Sequence, residues 1–327
     1  TRPDHARGAG HGENKFTATF LNNNRNKRSL ALDLKSDEGK EILLKLAATT
    51  DVFIQNFRPG VVERLGIGEE EIRKMKEDII YVSISGFGEK GPWAHKPVYD
   101  PIVQAISGLT TIQGGADDAR PRLVRTIVPD KLTGITTAQA VTSALLHKER
   151  TGEGQHVRVS MLDAVIAFLW ASVFGGQTFV GREVSTQRAA TFIDLIYETK
   201  TDYISVSAMT NTQWHALAGA VGHPEWADDE RFSTPAQRDL NANERLGLTQ
   251  EALLNRSAEQ WLTLLDDAGV PCAPVLKRSE VIEHPQVVAS DLLVELEHPE
   301  AGTIRQTRPA ARFSKSSQEL WSGALTQ

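Results

Sequence analysis

The 327-residue chain has little cysteine, little aromatic content and no long apolar run. Its single cysteine, Cys272, excludes a disulfide framework and a cysteine-built zinc site. One cysteine also suits a reducing compartment, so a cytoplasmic location is expected. No stretch of about eighteen apolar residues occurs, so a membrane-spanning helix is not expected. The first 30 residues are polar and do not read as a signal peptide. The nine histidines are scattered, with no HExxH and no tight His/Asp cluster, so no metal site is expected. A G-x-S-x-G nucleophile elbow is also absent, which leaves an α/β-hydrolase reading without an anchor.

What is present is an uneven charge. Lys+Arg 36 against Asp+Glu 42 gives a net −6. Residues 1–35 hold seven basic side chains (Arg2, Arg7, Lys15, Arg25, Lys27, Arg28, Lys35) and three acids (Asp4, Glu13, Asp33), a net of +4, which leaves −10 for the remainder. An acidic chain with a basic N-terminal segment argues against nucleic-acid coating but suits a local polyanion site.

The hydropathy pattern alternates strand and helix signals in the first half. Ser29–Leu34 reads as a short strand, Ser36 as the N-cap of a following helix, and Asp51–Gln55 as a buried strand ending in the turn Asn56-Phe57-Arg58-Pro59-Gly60. Glu69–Met75 reads as a helix and Asp78–Ser85 as a third strand. Strands separated this way predict βαβ units with a parallel sheet. Asp130–Arg150 and Ser160–Phe174 read as helices flanking a short His156–Val159 strand. After about residue 185 the texture changes. Residues 192–208 hold two strand-like runs, followed by helical segments around 211–221, 242–254 and 258–268 and by short strands. This predicts an α/β chain with a large parallel-sheet domain and a smaller α+β domain.

Gly86-Phe87-Gly88-Glu89-Lys90-Gly91 has the form of a dinucleotide fingerprint, which requires its third glycine inside an opening helix. Pro92 and Pro97 follow so closely that a loop is expected instead. Cys272, between two prolines and without a neighbouring base, reads as a small apolar residue rather than a nucleophile. Among the carboxylates, Asp163 stands three residues after Ser160 and reads as part of a helix cap. Asp130 sits at the junction of an apolar stretch and a long helix. Capping explains such a residue, but open α/β folds also place ligands at that kind of junction.

Taken together, several stretches are recognisable. They are Asn24–Lys35 (NRNKRSLALDLK), Asn56–Gly60 (NFRPG), Arg64-Leu65-Gly66, Ser83–Gly88 (SISGFG) with Gly91-Pro92, Tyr99-Asp100 with Gln104-Ala105, and Asp130 with Gly134. Arg150–Gln155 (RTGEGQ), Gly269-Val270-Pro271 and His284-Pro285-Gln286 complete the series. In this order they resemble the class III CoA-transferases, the family of formyl-CoA transferase and crotonobetainyl-CoA transferase. The resemblance implies a Rossmann-like large domain (residues 1–184), a small α+β domain (185–285) and a C-terminal return to the large one (286–327). It also implies an interlocked homodimer.

The activity implied is transfer of CoA from an acyl-CoA to a free carboxylic acid, with CoA as a substrate and no tightly bound cofactor. Asp130 matches the family nucleophile. Leu32, Lys35, Asn56, Phe57, Arg58, Arg64, Val98 and Tyr99 match CoA-contacting positions, and the basic Arg25–Arg28 segment offers further cations for the CoA phosphates. The likeness to the succinyl-CoA/glutarate type points to a dicarboxylate acceptor.

Some features depart from the pattern. The family's N-terminal strand and first helix are expected upstream of Thr1, and the chain stops early after Gln327. A glycine-run loop of formyl-CoA transferase has no counterpart between Gly181 and Tyr203, which disfavours formate/oxalate exchange. Relatives that racemise 2-methylacyl-CoA carry a His where this chain has Tyr99, which removes one of two proton-transfer groups. A racemase or a non-catalytic CoA-ester-binding protein are the alternative readings.

Overall fold

A computed structural model of the chain describes residues 5–8, 12–13, 16–185 and 195–316. It divides into two compact units, one of residues 34–195 and 230–246, the other of 1–33, 196–229 and 247–327. Part of the FIDLIYE run and part of the segment expected to lack the glycine loop lie outside the described residues.

The 34–195 unit is built on three parallel strands. Helix α1 (Asp37–Ala47) starts at Ser36, whose hydroxyl accepts from Gly39 N as the N-cap. Strand β1 (Val52–Gln55) leads through the NFRPG turn into a short helix α2 (Val61–Leu65), then α3 (Glu69–Met75) and strand β2 (Ile80–Ser85). Helices α4 (Asp100–Ile106), α5 (Leu109–Gly114) and the 24-residue α6 (Val128–Thr151) precede strand β3 (His156–Ser160) and helix α7 (Met161–Val173).

β2 lies between β1 and β3, parallel to both. Buried on both faces, it carries Ile80, Tyr81 and Val82 at 0–1% exposure. Ala47, Ile72, Ile79 and Tyr81 pack on one face beneath α1 and α3. Ile80 and Val82 pack with Ala144 of α6 on the other. The parallel sheet and the helices at 69–75, 128–151 and 161–173 agree with the sequence expectation. Ser29–Leu34 does not. It is irregular, Leu30 is exposed, and among the described residues no strand pairs with it. Alternating hydropathy makes a strand possible, but the backbone groups need a ladder partner.

The other unit holds an antiparallel sheet of Ile196–Glu198, Tyr203–Val206 and Cys272–Pro274. It also holds an antiparallel pair, Leu293–His298 with Gly302–Thr307. Its core includes Ile204, Trp214, Trp261 and Leu265. Both indoles are satisfied, Trp214 Nε1 donating to Trp226 O and Trp261 Nε1 to Leu253 O. No described helix is long and apolar enough to cross a membrane.

Candidate active site

The loops after the strands gather at the carboxyl edge of the parallel sheet, where open α/β folds bind ligands. Gly86 is the close-packed point of that edge. A Cβ there would stand 2.2 Å from Val98 Cγ1, so the glycine lets Val98 lie against the end of β2. Gly86 O accepts from Leu162 N (3.1 Å), which ties the start of α7 to the same point. The G-x-G-x-x-G run is a loop, as its prolines predicted, with Gly88 and Gly91 at positive φ.

Asp130 lies in the first turn of α6. The N-cap position, Ile127, has no side chain that can satisfy the open N–H groups of that turn. Asp100 does so from α4, its Oδ2 accepting from Asp130 N at 3.2 Å. Asp100 is buried and is itself held by Gln104, whose Nε2 donates to Asp100 Oδ1 at 2.7 Å. Gln104 is buried too. It contacts Val124 O and Thr126 O through Nε2 and accepts from Val124 N, so it fastens the segment leading into α6. The Asp130 side chain reaches solvent, yet the protein around it desolvates the carboxyl enough to raise its pKa. The negative charge of Asp100 adds to the rise and Lys131 opposes it.

The CoA positions named from the sequence fall as follows. Asn56, Phe57 and Arg58 are exposed in the turn that follows β1, with Phe57 N donating to Gln55 Oε1. Arg64, on α2, folds back over Gly60, where a Cβ would stand 3.1 Å from its Nη1. Val98 is half-buried, and Tyr99, the N-cap residue of α4, is 75% exposed. Lys35 is exposed just ahead of Ser36, and Leu32 is half-buried in an irregular segment of the other unit. In that same unit, Arg25 donates to Thr307 O and Lys27 to Asn23 O, so these two cations have local partners.

Two residues of α4 that hold the turn around Asp130 have no role assigned from sequence. Asp100 and Gln104 are quoted in the motif and bond to each other across one turn of α4. The bonds that tie them to the segment of Asp130 reach 20 to 30 residues along the chain, and no local pattern signals those. Asp163 has the place expected of it, its N–H donating to the N-cap Ser160 Oγ at 3.0 Å. Cys272 has its thiol pushed up to about 11 by burial and by the neighbouring Asp266, which makes it a poor nucleophile.

The family profile of CoA-transferase family III matches residues 1–324. The chain is a family III CoA-transferase. Human succinyl-CoA:glutarate CoA-transferase is 32% identical to this enzyme over 302 residues, 90% of this chain and 68% of the relative. Acetyl-CoA:oxalate CoA-transferase of Acetobacter aceti is 34% identical over 290 residues, 87% and 73% of the two chains. Among solved structures, Rv3272 of Mycobacterium tuberculosis superposes with a TM-score of 0.82 at 29% identity, covering 94% of this chain and 83% of that one. A CaiB/BaiF family protein of Brucella suis gives a TM-score of 0.79 at 27% identity, covering 95% and 81%. The mixed α/β architecture of this CoA-transferase is therefore the one its family shares.

Proposed function

We propose that this enzyme transfers CoA from an acyl-CoA to a free dicarboxylic acid, with Asp130 as the nucleophile. The observation that carries this reading is the placement of Asp130. It stands in the first turn of a long helix at the carboxyl edge of the sheet, with a buried acid fixed to its own backbone.

The chemistry proceeds in exchanges of one bond for another. The Asp130 carboxylate attacks the thioester carbonyl and expels the CoA thiolate, leaving an acyl-aspartyl anhydride. The thiolate then attacks the aspartyl carbonyl of that anhydride. This releases the donor acid as its carboxylate and leaves an Asp130–CoA thioester. The acceptor carboxylate attacks this thioester, forming a new anhydride and freeing the thiolate again. Attack of the thiolate on the acceptor's acyl carbonyl gives the product acyl-CoA and restores Asp130. Covalent catalysis thus splits one hard exchange into easier ones. Backbone N–H groups of the glycine-rich loop supply donors for the tetrahedral oxyanions.

Arg58, Arg64 and Lys35 provide the cations that CoA phosphates require, and Phe57 and Tyr99 provide exposed aromatic surface. An interlocked homodimer is part of the proposal. Large apolar side chains stand exposed on α6 and α7, among them Ile135, Phe168 and Trp170, more than a monomer's scattered surface residues require. The dicarboxylate preference draws on the relatives, two of which are named for glutarate and oxalate.

A panel of acids offered with succinyl-CoA and acetyl-CoA, read by mass spectrometry, tests the proposal. Exchange onto dicarboxylates that disappears in Asp130→Ala supports it. Full turnover by Asp130→Ala removes Asp130 from the chemistry. Exchange onto monocarboxylates alone removes the dicarboxylate.

A further inference from the structure

A second cluster of reactive side chains lies on the other face of the parallel sheet from α6. Here α3, the NFRPG turn and the ends of β1 and β2 enclose a cleft of ≈ 500 Å³. Ser83 lines it from the centre of the sheet. Its Oγ lies 2.8 Å from His156 Nε2, and His156 Nδ1 lies 2.5 Å from Glu69 Oε2. Glu69, at the start of α3, is held in turn by Arg73 Nε at 2.8 Å. The His156 ring is also fixed by an edge-to-face contact with Tyr81, at 5.0 Å between centroids.

This arrangement defines a tautomer. An ionised Glu69 requires a proton on Nδ1, which leaves Nε2 to accept from the Ser83 hydroxyl. Burial pushes the Glu69 carboxyl up, and the hydrogen bonds and charges of Arg73 and His156 outweigh it, so the group lies below its ordinary value. Burial lowers His156 despite the opposing charge of Glu69, so the ring is neutral near pH 7.

The strand register adds donors. Gln55, Ser83 and Arg158 lie opposite one another on β1, β2 and β3, and all three line the cleft. Gln55 Nε2 already donates to Ser83 Oγ at 2.9 Å. The Gln55 amide therefore stands against the serine oxygen, close to where an oxyanion two bonds from Oγ would form. The Arg158 side chain in the neighbouring register is held by Glu89, its Nε donating to Oε2 at 2.9 Å.

We propose that Ser83, His156 and Glu69 form a second, hydrolytic centre that cleaves small esters, with Ser83 as nucleophile, His156 as base and Glu69 orienting the ring. Triads of this kind are recognised by geometry and roles, not by fold or chain order. Ser83 Oγ bonds to the ester carbonyl carbon while its proton passes to His156 Nε2. The alcohol leaves with that proton, and water then cleaves the acyl-serine, returning the acid and the free hydroxyl. The rim selects the substrate. Glu63, Glu70, Glu71 and Glu89 line the cleft against a single Arg158, so small anionic esters are disfavoured and uncharged or cationic esters are admitted.

A fluorophosphonate probe on the unaltered protein tests this directly, with the site of attachment read by mass spectrometry. The tryptic peptide Glu77–Lys90 holds both Ser83 and Ser85, and fragmentation separates them. The expected result is an adduct on Ser83, with p-nitrophenyl acetate hydrolysis falling about a hundredfold or more in Ser83→Ala and in His156→Ala. Ser83→Ala keeps CoA exchange, which also shows that it folds. In the unaltered protein, hydrolysis reaches half its maximum below pH 6.5, the ordinary histidine value. No adduct, an adduct elsewhere, or hydrolysis unchanged in a folded Ser83→Ala overturns the proposal and leaves the array as a brace between α3 and the sheet.

Discussion

The backbone N–H of Asp130 donates to the carboxylate of Asp100, 30 residues earlier in the chain, at 3.2 Å. That hydrogen bond keeps a buried negative charge beside the turn that carries the proposed nucleophile. The bond satisfies a helix-end donor, and the Asp100 charge it holds in place adds to the rise that burial gives the pKa of Asp130.

The pH dependence follows from that relationship. Asp130 must be ionised to attack, and its pKa lies above the ordinary 3.8 through burial and then through Asp100. The acid limb of kcat/KM therefore lies above that value. Asp100→Asn removes the like charge, so the limb moves to lower pH. Linkage gives a second reading. A carboxyl whose folded pKa is raised disfavours folding once pH exceeds its unfolded value. Asp130→Asn should thus melt higher than the parent near pH 7, with the gain fading as pH falls towards 3.8. Thermal melts across pH check the sign.

Gly134 lies one helical turn beyond Asp130, on the same face of α6, and a Cβ there would meet no protein atom within 4 Å. A helix-interior glycine costs roughly 0.5–1 kcal/mol relative to alanine. Gly134→Ala should stabilise the fold by that amount. If acyl-CoA approaches Asp130 along this face, the same change slows CoA transfer. A higher melting temperature with a lower kcat/KM is the expected pair of results.

Gly86 and Gly154 make the opposite case. Alanine at Gly86 would press its Cβ to 2.2 Å from Val98 Cγ1, and at Gly154 to 2.4 Å from the Asp78 and Ile79 backbone. Overpacking of this kind costs about 1–3 kcal/mol, and more where the backbone must move. Gly154→Ala should therefore be the more destabilised of the two in denaturant melts. Gly86→Ala should lose CoA transfer beyond its stability loss, because Val98 leads directly into Tyr99 and Asp100.

Arg58 is exposed in the turn after β1. If it meets a CoA phosphate, Arg58→Ala loses a charge-assisted hydrogen bond worth about 1.5–3 kcal/mol. This corresponds to a KM for acyl-CoA raised about tenfold or more, with kcat nearly kept. An unchanged KM would remove Arg58 from the CoA site.

Much of this architecture is legible in the sequence because its signals are local. The helix over Glu69–Met75 follows from its acidic first turn and apolar spacing, and Ser36 and Ser160 announce their helices as caps. Ser29–Leu34 was misleading because alternation is local while strand pairing is not. The same distinction governs the site. Asp130 stands out by its place at a helix start. Asp100 and Gln104 reach the segment of Asp130 through hydrogen bonds that span 20 to 30 residues. Ser83 and His156 meet across adjacent parallel strands, with Glu69 brought in by the helix packed on them. No short pattern encodes those meetings.

Catalysis as proposed passes through a covalent bond between Asp130 and the transferred group. Incubation with acyl-CoA, trapping by hydroxylamine and mass analysis of the Asp130 peptide test it most directly. The expected result is conversion of Asp130 to its hydroxamate in the presence of acyl-CoA and no such conversion without it. An unmodified Asp130 peptide from protein that is turning over substrate would contradict it.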